Sequence, residues 1–182
     1  MKLPPLYPWG EGYELIDIFD ADRRAVGYVK LRDTAVEPGE YYQVAHAWVI
    51  DRSGRCLMSR RHPRKTHGLL WECTGGGVHA GESTREAAVR ELAEELGLSL
   101  SCNEAALALT FRTDLAFCDV YLFRAEPALT DLVLQPEEVV DVRWMTGDEI
   151  ARGLAAGSMM PSLRYYPRVL AAAGFSGPPK EA

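Results

Sequence analysis

The chain has 182 residues, 47% of them hydrophobic and 25% charged, the composition of a globular domain long enough to bury a sizeable core and too short to suggest two. Its net charge of −6 argues against general nucleic-acid binding, which draws on clustered Lys and Arg. No apolar run approaches a membrane span and MKLPPLYPWG lacks a signal-peptide pattern, so the expectation is a cytoplasmic protein with no membrane association.

Residues 1–10, rich in Pro and aromatic side chains, read as an irregular arm able to pack on a neighbour through Tyr7 and Trp9. A single domain is expected over residues 11–175. It opens with ELIDIFD and AVGYVKL, which alternate apolar and polar residues around Asp20–Arg24 and predict a hairpin within residues 13–31. A homodimer through this hairpin or the arm is compatible with the sequence.

Tyr42–Ile50 and Arg55–Ser59 predict a second strand pair joined by the turn sequence Asp51-Arg52-Ser53-Gly54. A basic cluster follows: Arg60, Arg61, His62, Arg64 and Lys65. In a loop facing an anion site these side chains would hold phosphates, with arginine giving two-pronged contacts; a solvated basic loop is the alternative. Period-two alternation lets only one of Arg60 and Arg61 point inward.

Gly68–Cys73 reads as a strand entering a loop at Gly75-Gly76-Gly77, where glycine permits either close backbone approach to a ligand or a turn with positive φ. Ser83 followed by Glu86 predicts a capping box, a helix from about Thr84 to Leu96, and a left-handed stop at Gly97. On that helix Ala88, Val89, Leu92 and Leu96 form an apolar stripe, while Glu91, Glu94 and Glu95 share the adjoining arc. Three carboxylates so spaced repel one another. A hard divalent cation would offset the repulsion, Mg2+ first and Mn2+ second, and Arg90 is placed to orient Glu91 and Glu94.

Downstream, Ala105–Phe111, Phe117–Arg124 and Val139–Met145 predict strands, Thr146 caps a short helix to about Ala155, and Pro161–Ala173 predicts a last helix. Residues 176–182 are expected to be a disordered tail. The four cysteines lack C-x-x-C spacing and read as buried reduced thiols; His46, His62, His67 and His79 lack metal-ligand spacing, with His79 the best placed to touch a substrate. Trp48, Trp71 and Trp144 lie in strand-like runs and read as core. Glu137 and Glu138 are either a solvated turn or an extra acid for the site.

The span from Gly76 through Glu82 to Arg90-Glu91-Leu92-Ala93-Glu94-Glu95-Leu96-Gly97, GGVHAGESTREAAVRELAEELGL over residues 76–98, resembles the Nudix box. The resemblance implies an α/β fold, a Nudix-type α/β/α sandwich with a mixed sheet, here preceded by the N-terminal hairpin. It also implies a metal-dependent hydrolase cleaving a phosphoanhydride bond in a nucleoside diphosphate linked to another moiety, or in a related small anionic diphosphate. Metal would be held by Glu91, Glu94, Glu95 and Gly76, and Glu82 would serve local structure. Arg90 joins the catalytic set, and Arg60, Arg61, Gly75, Gly76 and Gly77 the substrate set. The general base is left open among Glu91, Glu137 and Glu138.

Flanking segments over residues 12–165 resemble the subgroup related to isopentenyl diphosphate isomerase. Anchored on Glu82, however, that enzyme's Cys-Gly-His stretch falls on Gly75-Gly76-Gly77, and an earlier metal histidine falls at about Tyr42. An isomerase-like enzyme and a non-catalytic nucleotide-binding module remain the alternative readings.

Overall fold

The computed structural model describes residues 14–32 and 34–175; the expected arm at residues 1–10 and the tail at 176–182 lie outside them. Strands β1 (Leu15–Phe19) and β2 (Ala25–Leu31) form the expected antiparallel hairpin, with Leu15 opposite Leu31. Ile16 and Ile18 are its buried face. Arg23, held at a φ of 61° in the turn, donates to both oxygens of the buried Asp119, at 3.0 and 2.5 Å, so the hairpin is pinned to the main sheet.

That sheet is mixed and seven-stranded: β3 (Tyr42–Ile50), β4 (Cys56–Arg61), β5 (Trp71–Glu72), β6 (Thr74–Gly77), β7 (Ala106–Arg112), β8 (Ala116–Arg124) and β9 (Val139–Met145). β3 runs parallel to β8 over its whole length. Eight consecutive residues of β8 are buried, the pattern of a strand covered on both faces.

Alternation along β3 sorts the two cores. Ala45, Ala47 and Val49 face helix α1 (Thr84–Leu96), where Ala87, Ala88, Leu92 and Leu96 are buried against them. Alanine on both sides lets the helix lie close to the sheet. Trp48 and Ile50 face helices α2 (Gly147–Ala155) and α3 (Tyr166–Ala172) through Ile150, Val169 and Leu170. Helices on both faces make this the α/β/α sandwich that the sequence implies. Each fully buried leucine or isoleucine contributes roughly 1.5–3 kcal/mol.

Three expectations need correction. β3 and β4 pair only at Ile50↔Cys56, because β6 takes the place beside Val44–Ala47 and β4 pairs instead with β5 and β9. The strand expected over Gly68–Cys73 begins only at Trp71, since His67 and Leu69 have φ of 58° and 67° and bend the chain. The last helix is broken: Pro161–Tyr165 is a 3-10 turn. Pro167 has no N–H to return to the Leu163 carbonyl, which accepts from Tyr166 instead.

Candidate active site

Helix α1 forms where its caps dictate. Ser83 Oγ accepts from the Glu86 N–H at 3.2 Å, and the Glu86 carboxylate accepts from the Ser83 N–H at 2.9 Å. Gly97, at a φ of 64°, ends the helix with its N–H on the Ala93 carbonyl. Between these ends Glu91 and Glu95 lie one turn apart on the buried side, only 7% and 5% exposed, whereas Glu94 is largely exposed.

What Glu91 meets there is β6. Gly75, Gly76 and Gly77 are strand residues paired with β3 and none has a positive φ, so the expected glycine loop and its turn reading are wrong. The close-approach reading fits instead. A Cβ on Gly76 would stand 2.7 Å from Glu91 Cδ, and one on Gly75 would stand 2.9 Å from His46 Cδ2. Bare backbone at Gly76 is therefore what gives the Glu91 carboxylate its space.

Arg90 organises the acids. Its Nε and Nη2 donate to the two Glu82 oxygens at 2.9 and 3.0 Å, Nη2 also reaches the Gly77 carbonyl, and Nη1 donates to both Glu91 and Glu94. Burial works against the guanidinium charge, yet the Glu82 bonds and the Glu91 charge more than offset it and raise the pKa. Glu82 in turn accepts the His79 N–H, which folds the loop back on the helix.

A cavity of about 750 Å3 lies over this edge. It is lined by Glu91, Glu94 and Glu95 with Arg90 from the acidic helix edge, by Arg61 from the end of β4, and by Arg64, Lys65 and Thr66 from the β4–β5 connection. Arg32 and Glu14 from the hairpin and Gln135 and Glu138 from the segment before β9 close the remaining sides. Of the two arginines on β4, Arg61 lines the cavity and pairs with Glu72 at 2.6 Å, while Arg60 is outside the lining, its guanidinium 5.9 Å over the Trp71 ring. Lys65 pairs with Glu138; Glu137 is exposed and outside the lining. His79 is not in the lining either and faces Glu14 at 3.8 Å.

The electrostatics identify what the acidic wall lacks. Burial, then the charges of Glu91 and Glu72, push the Glu95 carboxyl up to about 8, and burial also raises Glu91 and Glu72. Glu95 Oε2 is buried with no hydrogen-bond partner among the described residues. An orphaned carboxylate oxygen beside a second buried carboxylate fits a hard cation with oxygen ligands. Among the described residues no three acidic, histidine or cysteine side chains come together as a metal cage, and Arg90 Nη1 bridges Glu91 and Glu94.

Sequence reading had not singled out Glu14, Arg32, Glu72 or Gln135. Glu14 and Arg32 flank the Leu15↔Leu31 register and so had to be neighbours, but nothing local placed the hairpin's open end at the box.

The α/β/α sandwich, with an acidic helix edge set against bare glycine backbone under a polar cavity, is the architecture of a Nudix-type enzyme. The chain belongs to the NUDIX domain family, whose family model matches residues 40–166, and it is a Nudix-type diphosphate hydrolase. An uncharacterised Nudix hydrolase of Clostridium acetobutylicum is 32% identical over 78% of this chain and 74% of its own. An isopentenyl-diphosphate Delta-isomerase of Nocardia farcinica is 31% identical over 78% of this chain and 84% of its own. Among solved structures, a Deinococcus radiodurans protein superposes with a TM-score of 0.68 at 25% identity, covering 80% of this chain and 91% of that one.

Proposed function

We propose that this hydrolase cleaves the diphosphate linkage of a small nucleotide-like anion with the help of a divalent cation, Mg2+ first and Mn2+ second. The observation that carries the reading is the orphaned Glu95 Oε2 one helical turn from Glu91, whose own carboxylate packs on the bare Gly76 backbone. Glu91, Glu94, Glu95 and the Gly76 carbonyl are the groups that would hold the ion. When bound, such an ion supplies charge neutralisation on the diphosphate oxygens and a lowered pKa for water.

The chain's own residues do the rest. Arg90 keeps Glu91 and Glu94 aimed along one edge, and Arg61, with Nη1 tied to Glu72 and Nε to the Thr66 carbonyl, adds a fixed positive charge beside the phosphates. Water attacks phosphorus, and its proton passes to Glu91 or Glu138, the two candidate bases that line the cavity. The four thiols are all free, which suits the reducing cytoplasm.

The isomerase-like relative motivates a second reading. Against it, Cys73 lies in the core on the α2–α3 side of the sheet, 3% exposed, with Sγ 3.7 Å from Tyr165 Oη and burial pushing its thiol well up. That side is opposite the acidic wall.

The test is a panel of nucleoside triphosphates, nucleotide sugars, dinucleoside polyphosphates, coenzymes and isoprenoid diphosphates, each with Mg2+ and with Mn2+. Release of phosphate, diphosphate or nucleotide that stops on chelation supports the proposal. Double-bond migration in an isoprenoid diphosphate without phosphate release supports the isomerase. Binding without any product supports a module that has lost turnover.

A further inference from the structure

The cavity that the glutamates line also carries a charge that no described residue neutralises. Each other cation of the cavity is committed: Arg61 to Glu72, Lys65 to Glu138, Arg32 to Glu14, and Arg90 to Glu82, Glu91 and Glu94. Arg64 lines the same cavity, and its side chain makes no ion pair or hydrogen bond to any described residue.

Its position is not that of a side chain on a slack loop. The Arg61 N–H donates to Leu70 O at 3.0 Å, and Arg61 O accepts from the Leu69 N–H at 3.1 Å. Lys65 N–H reaches His62 O at 3.0 Å, and Arg61 Nε reaches Thr66 O at 3.0 Å. The Arg64 N–H itself donates to His62 Nδ1 at 3.2 Å. His67 and Leu69 are held in the left-handed region, a strain that non-glycine residues adopt only where the surroundings impose it. Strain and five hydrogen bonds thus hold the backbone around Arg64 at the cavity edge.

Building on the hydrolase reading above, we propose that Arg64 receives a terminal phosphate. The substrate class is then a diphosphate or triphosphate ending in a free phosphoryl group, not an internal diphosphate esterified at both ends. The reason is charge. An internal diphosphate carries one negative charge per phosphorus, which a divalent cation on the acidic wall offsets. A terminal phosphoryl group approaches two, with three acceptor oxygens, and needs a further donor. Arg64 is the uncommitted fork in the lining, and a guanidinium matches phosphate in a two-pronged contact.

Binding tests this without relying on turnover. Two analogues are titrated calorimetrically with Mg2+: a nucleoside methylene-bridged diphosphate with a free terminal phosphoryl group, and the same compound capped by a methyl ester. The parent should bind the free form ~10-fold more tightly, and Arg64→Gln should weaken the free form ~10-fold more than the capped form, erasing the preference. Arg52→Gln, whose exposed side chain lies away from the cavity, should keep the parent's preference. Equal or tighter binding of the capped analogue by the parent overturns the proposal, as does an equal effect of Arg64→Gln on both. A terminal-phosphate preference in a protein that releases no product from any diphosphate would overturn the hydrolase reading and leave this one standing.

Discussion

Gly76 and Glu91 share one space: a methyl group on the glycine would stand 2.7 Å from the carboxyl carbon of the glutamate and 2.9 Å from its Oε2. Gly76→Ala must therefore push Glu91 off the cavity edge. We expect kcat to fall ~100-fold, from misplacement of a reacting group by about 1 Å, with an overpacking cost of about 1–3 kcal/mol in thermal unfolding. Gly77→Ala meets only the flexible Arg32 side chain, at 3.3 Å from Nε, and should lose much less activity. Steady-state kinetics on both variants check the contrast; equal losses would show that Gly76 matters only as strand backbone.

Arg90 makes contacts that lysine cannot reproduce, since one planar fork spans Glu82, Glu91, Glu94 and the Gly77 carbonyl. Arg90→Lys should keep the fold and weaken divalent-cation affinity or kcat by roughly 10–100-fold. Calorimetric titration with Mn2+ beside a circular dichroism spectrum separates this from simple unfolding. Unchanged cation affinity and unchanged kcat would remove Arg90 from the site's machinery.

Acid stability turns on His46. Tyr165 Oη accepts from Trp48 Nε1 at 3.1 Å and lies 2.5 Å from His46 Nδ1, which ties the imidazole into the core. Burial lowers its pKa from 6.5 to about 4. Between those values the unfolded chain binds the proton and the folded chain does not. Stability from this group is fully present above pH 6.5 and is lost as pH falls toward 4, by on the order of 1–3 kcal/mol. The raised Glu95 carboxyl acts in the opposite sense over the same window, so the difference between two melting curves reports His46: His46→Gln should gain stability relative to the parent as pH falls from 6.5 toward 4, and two curves that stay parallel would contradict the assignment.

Asp119 is the anchor joining the hairpin, sheet and box helix. Its oxygens accept from Arg23, from Thr84 Oγ1 at 2.7 Å and from Thr110 Oγ1 at 2.7 Å. Burial opposes its charge, but these bonds win and lower the pKa. Asp119→Asn should destabilise by about 2–4 kcal/mol, because Arg23 is then left without its countercharge. Adding Arg23→Gln should cost little more, and additive losses in denaturant melts would show that the two do not interact.

How much of this was legible in sequence divides by range. Helix α1 and both of its caps follow from Ser83, Glu86 and Gly97, whose bonding partners are three or four residues away. The hairpin and strands β3, β4, β7, β8 and β9 were legible from local alternation and turn residues. The misread parts depend on distant partners: Gly75–Gly77 look like a loop until β3 supplies the ladder, and β4 looks like the mate of β3 until β6 and β9 intervene. The acid cluster was visible as spacing. The basic wall was visible only as a cluster, and alternation could say that one of Arg60 and Arg61 faces inward but not that it is Arg61.

The central claim is that buried carboxylates on one helix edge bind a hard cation that makes a diphosphate cleavable. Glu95→Gln tests it most directly, because it removes a charge while keeping the shape of a side chain only 5% exposed. Under saturating Mg2+, kcat on the best substrate of the panel should fall ~100–1000-fold with the melting temperature unchanged or raised. A variant that turns over as fast as the parent, with the same cation affinity, would contradict the account.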